Sequence, residues 1–200
     1  MAKVKLFSGM DFSGKSTIIK IIDVAMLGVF KLQKKFLTPI DTIESLRGVW
    51  FPPEIWKPLL QKIIREDIVN YQDNGLVLQD TLWIIKYIAT KLEKNNPEDY
   101  KEMDQLQQLL WQYPDMDSFY ITTTIEERIR RFRARESLGG TISGSDRMLL
   151  SAEVFKRTEN HYKNIILHRF PNTRIIDTSG AIPEQTAKDI MQDKGFLRDL

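Results

Sequence analysis

The sequence predicts an α/β fold: one domain with a five-stranded parallel sheet and helices on both faces. Three observations lead there. Short apolar runs alternate with longer stretches at helical spacing. The first apolar run leads straight into a glycine-rich turn and then a helical pattern. The 200 residues can form one domain with a substantial core, but not two comfortable ones. An apolar fraction of 42% and a charged fraction of 28% are ordinary for a globular chain. No internal repeat, low-complexity tract or flexible linker interrupts the alternation.

Val4 to Ser8 reads as the first strand, and a helix from Lys15 to Leu27 follows its turn. Lys34 to Thr38 is the expected second strand, despite its two lysines. Trp50, Phe51 and a Pro-Pro pair make Arg47 to Pro53 an irregular connection. In the next helix Ile55, Leu59 and Ile63 recur at one spacing and Leu60, Ile64 and Ile68 at another. It stops near Asn74-Gly75. Leu76 to Leu78 is the third strand. Thr81 to Leu92 is apolar nearly all round, as in a helix buried on more than one side, in the core or against another subunit. A helix is expected from Pro97, at its first turn, to Trp111. Ser118 to Thr122 is the fourth strand, and Ile125 to Arg135 a helix with Ile125, Ile129 and Phe132 on one face. After a Gly/Ser-rich loop come a helix from Ser151 to Arg169, a last strand at Arg174 to Asp177, and a closing helix from Ile182 to about Asp193. Such sheets collect ligands at the C-terminal ends of their strands.

Composition excludes several functions. No run of 18 apolar residues is present, so no spanning helix and no membrane partner are expected. The opening apolar run is short and broken by Gly9 and Asp11, unlike a secretory signal, which makes the cytoplasm the expected location. With no cysteine, there is no disulfide, thiolate metal site or cysteine nucleophile. A net charge of +2 does not indicate a nucleic-acid partner, although a nucleic-acid acceptor is not ruled out.

The chemistry concentrates in Gly9-Met10-Asp11-Phe12-Ser13-Gly14-Lys15-Ser16, a complete G-x-x-x-x-G-K-S between a predicted strand and a predicted helix. In a P-loop of this kind the glycines let successive N–H groups converge on phosphate oxygens at the positive end of the helix. Lys15 is expected at the β- and γ-phosphates, and Ser16 as a ligand of magnesium, a hard cation suited to hydroxyl oxygen. ATP and Mg2+ are the expected cofactors, and the fold is expected to be that of P-loop NTPases.

The wording Phe7-Ser8-Gly9-Met10-Asp11-Phe12-Ser13-Gly14-Lys15-Ser16-Thr17 resembles thymidylate kinases, which carry an acid inside the loop. So do Pro114-Asp115, the strand ending Tyr120-Ile121, and Glu126-Glu127-Arg128 with Arg131, Arg133 and Arg135. Asp146-Arg147, the helix with Phe155, Tyr162 and Ile165, and Arg174 to Asp177 complete the likeness. The match is tight over residues 4–20 and 114–178. The resemblance implies a nucleoside monophosphate kinase fold, a homodimer and a lid near residues 133–148. It places Asp11 on the acceptor sugar hydroxyl and Lys15, Ser16 and Thr17 on the donor phosphates. An ionised carboxylate beside phosphates accepts hydrogen bonds only, so a hydroxyl is its natural partner. Some of these kinases have an arginine where this chain has Phe12. The chain is thus similar to the subgroup whose catalytic arginine comes from the lid, with Arg133, Arg135 and Arg147 as candidates. By helical spacing, Arg128, Arg131 and Arg135 share one side. That side suits charge stabilisation during transfer, and equally a solvated basic face.

The acceptor side departs from the pattern. Where the family's third strand ends in Asp-Arg, this chain has Asp80-Thr81, which retains a carboxylate for the magnesium shell and loses the phosphate-binding arginine. Leu37 to Asp41 lacks the arginine expected after the second strand. Trp56 and Leu60 stand where a base-stacking phenylalanine and an arginine are usual, so Trp56 is the candidate stacking residue. The expected function is ATP-dependent phosphorylation of a deoxynucleoside monophosphate. The alternatives are a kinase of a nucleoside, a modified nucleotide or another hydroxyl compound, and an ATP-binding module without transfer.

Overall fold

The computed structural model describes residues 3–27, 29–34, 53–82, 107–140 and 149–197, with positions 84, 85, 88, 105, 142, 146 and 147. Strands β1 (Lys3–Ser8), β2 (Lys31–Lys34), β3 (Leu76–Asp80), β4 (Asp117–Thr122) and β5 (Arg174–Asp177) form one sheet in the order β2-β3-β1-β4-β5. Every neighbouring pair is parallel. The described helices are α1 (Lys15–Ala25), α2 (Pro53–Asn74), α3 (Ile125–Ser137), α4 (Ala152–Arg169), α5 (Pro183–Gln192) and the short α6 (Lys194–Leu197).

The period-2 alternation of each strand divides the core in two. Val4 and Leu6 of β1, Val77 of β3 and Tyr120 of β4 pack with Leu60, Ile63 and Ile64 of α2 and Phe155, Tyr162 and Ile166 of α4. Phe7, Leu78, Phe119 and Ile121 pack on the other face with Ile18, Ile19 and Ile22 of α1 and Ala187 and Ile190 of α5. At about 1.5–3 kcal/mol for each large apolar side chain buried, these two layers fix which ends of the strands lie together. Local signals set the helix ends. Gly75, at φ +71°, closes α2 by donating to the Tyr71 carbonyl at 3.2 Å. Thr124 caps α3, its hydroxyl accepting from the Glu127 amide at 3.3 Å.

The second strand differs from expectation. Its described part, Lys31–Lys34, begins three residues before the expected Lys34, and residues 35–38 lie outside the described part. At the edge of the sheet β2 has one neighbour, β3. An edge tolerates lysines and needs little apolar patterning, so its sequence signal is weak. Helix α1 ends at Ala25, two residues before the predicted Leu27. Of the apolar stretch 81–92, Leu82, Ile84, Ile85 and Ile88 are buried in the core. Thr81 is buried too, while Trp83, Lys86, Tyr87 and residues 89–92, with most of the helix expected over residues 97–111, lie outside the described residues. Among the described residues no helix is long and apolar enough to cross a membrane.

Candidate active site at the phosphate-binding loop

Central strand β1 delivers the loop to the C-terminal edge of the sheet, between the ends of β3 and β4. Its backbone explains its glycines. A Cβ on Gly9, at φ +149°, would sit 2.2 Å from the Ile121 carbonyl oxygen. Gly14, at φ +89°, is the left-handed residue from which α1 departs, and its carbonyl accepts from the Thr17 and Ile18 amides at 3.1 Å each. The N-terminus of α1 therefore points its amides into the loop, a ready site for phosphate oxygens. Phe12 is left-handed as well, at φ +67°. For a bulky residue this costs about 1–3 kcal/mol and persists only where the surroundings enforce it.

Lys15 is buried, its Nζ against Asp80 Oδ1, and Ser16 Oγ donates to Asp80 Oδ2 at 3.4 Å. Asp80 ends β3 and is held from beneath. Thr81, at φ +59°, donates through its amide to the Phe7 carbonyl at 2.8 Å, and its carbonyl accepts from Gln79 Nε2 at 3.0 Å. Gln79 is in turn bonded by the Tyr71 hydroxyl at 2.9 Å. Thr81, where the resemblance led one to expect an arginine, is thus turned inward as part of the support for Asp80. The paired hydroxyl and carboxylate of Ser16 and Asp80 fit Mg2+, which takes oxygen donors and retains several waters.

Helix α3 lies along the loop, with three arginines on the side that meets it. Arg128 is wholly buried: Nε donates to the Asp11 carbonyl at 3.0 Å and Nη1 to the Leu149 carbonyl at 2.6 Å. Burial lowers its pKa, opposed by the nearby Asp11, Asp146 and Glu159 carboxylates. Arg131 donates to the Phe12 carbonyl at 3.3 Å, Thr178 Oγ1 at 3.1 Å and the Thr178 carbonyl at 2.8 Å. Thr178 Oγ1 donates to the Ser13 carbonyl at 2.7 Å, which ties the end of β5 to the loop. The guanidinium of Arg135 lies 5.5 Å from the Phe12 ring centroid.

Beside the loop is a cavity of about 260 Å³, lined by Gly14, Thr17, Glu127, Arg131, Thr178 and Pro183 among others. The Glu127 carboxylate accepts from Arg130 at 2.6 Å and from Arg131 at 2.7 Å. These hydrogen bonds hold its pKa at about 2, below the usual 4.5. A depressed carboxylate pKa contributes stability that is full above the unfolded value and is lost as pH falls through the folded one. The thermal midpoint gap between wild type and Glu127→Gln should therefore be constant above pH 5 and shrink from pH 4.5 toward 2. Parallel midpoint curves over that window would count against the pairing.

The remaining expected site residues divide. Met10 is buried in the core and Ser13 is buried in the loop, while Asp11 is half-buried, its charge felt by Arg128 and Tyr162. Arg133 is exposed on α3. Arg147 is exposed too, pairs with Glu136 at 2.8 Å, and lies 5.8 Å from the Phe132 ring. Trp56 falls within α2 and its side chain lies outside the described part. Thr178 was not anticipated as a site residue; its place directly after a strand end was the available signal. The burial of Arg128 had no sequence signal, because helical spacing places it on a face that reads as solvated.

A parallel sheet with helices on both faces and a P-loop leaving its central strand is the arrangement of the P-loop NTPase fold. Solved structures share it. A thymidylate kinase from Candida albicans superposes with a TM-score of 0.71 at 20% identity, over 99% of this chain and 93% of that one. A deoxyadenosine kinase from M. mycoides gives 0.65 at 15% identity, over 94% and 96%. A thymidylate kinase from Ehrlichia chaffeensis gives 0.58 at 15%, over 96% and 97%. No family model matches the sequence, and no curated protein does.

Proposed function

We propose that this protein is an ATP- and magnesium-dependent phosphotransferase whose acceptor is a deoxynucleoside monophosphate. One observation carries the reading. The Gly9–Ser16 cradle, Lys15 and Asp80 converge at the end of β1, and the loop also carries an acid, Asp11, suited to an acceptor hydroxyl. The loop amides and Lys15 Nζ would hold the β- and γ-phosphates, with Lys15 exchanging its Asp80 partner for phosphate oxygen. The cavity at Gly14 and Thr17 is placed for the donor's base. An acceptor phosphate oxygen attacks the γ-phosphorus, the bond to the β,γ-bridging oxygen breaks, and ADP leaves. Arg135 is the lid arginine best placed to meet the charge on the transferring group, while Arg133 and Arg147 would depend on lid movement. Ser16 and Asp80 would hold Mg2+, which neutralises phosphate charge when bound.

A nucleoside acceptor is the second reading, favoured by Thr81 at the end of β3. Its hydroxyl is 3.3 Å from both the Phe7 carbonyl and Asp80 Oδ1, and it offers no cation to an acceptor phosphate. Wild type, Asp11→Asn and Lys15→Ala, each with γ-labelled ATP and Mg2+, should be offered deoxynucleosides, their monophosphates and short DNA. Label should appear on a monophosphate and fall roughly 10–100-fold in Asp11→Asn. Label on a nucleoside alone selects the second reading, and no transfer above the Lys15→Ala level rejects both. Cytoplasmic location and a homodimer are part of the same proposal; sedimentation of the purified chain checks the latter.

A further inference from the structure

Phe12 is an expensive residue for its place, an aromatic ring on a left-handed backbone inside the phosphate-binding loop. Its contacts show what the ring does. The Arg135 guanidinium lies 5.5 Å from its centroid, and so does the Arg128 guanidinium. Arg128 is 5.3 Å from the Phe155 ring of α4. Guanidinium and ring thus alternate along Arg135, Phe12, Arg128 and Phe155, from the lid-bearing helix through the phosphate loop to α4. Each separation is within the roughly 6 Å reach of a cation–π contact. The two arginines differ in exposure, Arg128 wholly buried and Arg135 exposed, so the chain of contacts is anchored in the interior at one end and reaches solvent at the other. Phe132 supports Phe12 from the side, its ring centroid 5.5 Å away. The Phe12 carbonyl is bonded by Arg131, so three arginines of one helix face meet this single loop residue.

We infer that Phe12 is a positioning residue: its ring, backed by the buried Arg128, docks Arg135 over the phosphate cradle so that the guanidinium meets the γ-phosphoryl group as it moves. This rests on the phosphotransferase reading of the same site. A ring is required because it attracts the guanidinium without occupying its N–H donors, which stay available to phosphate oxygen.

The test compares wild type, Phe12→Leu, Phe12→Tyr, Arg135→Ala and the double variant Phe12→Leu/Arg135→Ala. Measured are kcat, the KM for ATP, and the ratio of ATP to ADP affinity by calorimetry without acceptor. Phe12→Leu should lower kcat on the order of tenfold with little change in KM, and Phe12→Tyr should behave as wild type. Because Phe12 acts through Arg135, the double variant should be no slower than Arg135→Ala alone. The ATP-over-ADP preference should follow the same pattern. Losses that multiply in the double variant, or a Phe12→Leu effect confined to KM, would overturn the inference. If Phe12→Leu does not fold, Phe12→Met supplies the ringless arm. Should wild type transfer no phosphate while the ATP preference keeps the non-additive pattern, the phosphotransferase reading falls and the positioning role stands. Transfer by wild type with multiplying losses would do the reverse, removing the positioning role and keeping the phosphotransferase.

Discussion

Lys15→Ala should reduce phosphoryl transfer roughly 10²–10³-fold while the chain still folds, because it removes the one loop side chain that carries positive charge to the phosphates. The size of the effect follows from burial. Lys15 and Asp80 have side chains 10% and 17% exposed, and at such a site a charge is weakly screened by water. The variant also leaves Asp80 without its ammonium partner. Asp80 keeps contacts to Ser16 at 3.4 Å and Thr81 at 3.3 Å, so the stability cost should stay near 1–3 kcal/mol, about that of one unpaired polar group. Circular dichroism and a thermal melt establish that the variant is folded, and a coupled ADP-release assay gives the rate. Transfer at the wild-type rate would remove the loop from the chemistry altogether.

Gly9→Ala should be the most damaging glycine-to-alanine change among the described residues. Its Cβ would lie 2.2 Å from a backbone oxygen of Ile121, in β4, which is held on both sides by β1 and β5. Neither partner can move without breaking ladder hydrogen bonds. Overpacking and an unfavourable φ together should cost roughly 2–5 kcal/mol. Chemical denaturation should show an earlier midpoint at unchanged slope, and ATP should no longer raise the thermal midpoint. Gly75→Ala is the control for φ alone, since nothing lies within 4 Å of a Cβ there. Equal losses in the two variants would mean that the close approach to Ile121 does not matter.

The two variants also mark how far the sequence could be read. Gly9, Gly14, Lys15 and Ser16 were legible because a phosphate cradle is made by consecutive residues whose backbone conformations are written in their side chains. Asp80 was picked out by the resemblance, and the structure puts it at a strand end beside Lys15 and Ser16. The second strand was placed late because an edge strand has little burial to pattern it. The basic side of α3 was ambiguous for a related reason. Spacing shows that Arg128, Arg131 and Arg135 share a side, but an arginine that bonds two distant carbonyls and one that points to water look the same in a helical repeat.

From the sequence alone came the α/β class, the places of four of the five strands and the glycine–lysine loop between strand and helix, because each is set by local pattern and local backbone chemistry. Only the tertiary structure decided the strand order, the inward turn of Thr81 beneath Asp80, the burial of Arg128 and the meeting of Phe12 with Arg135. Those depend on which elements pack together across separations that reach 117 residues between Asp11 and Arg128, far beyond any local pattern.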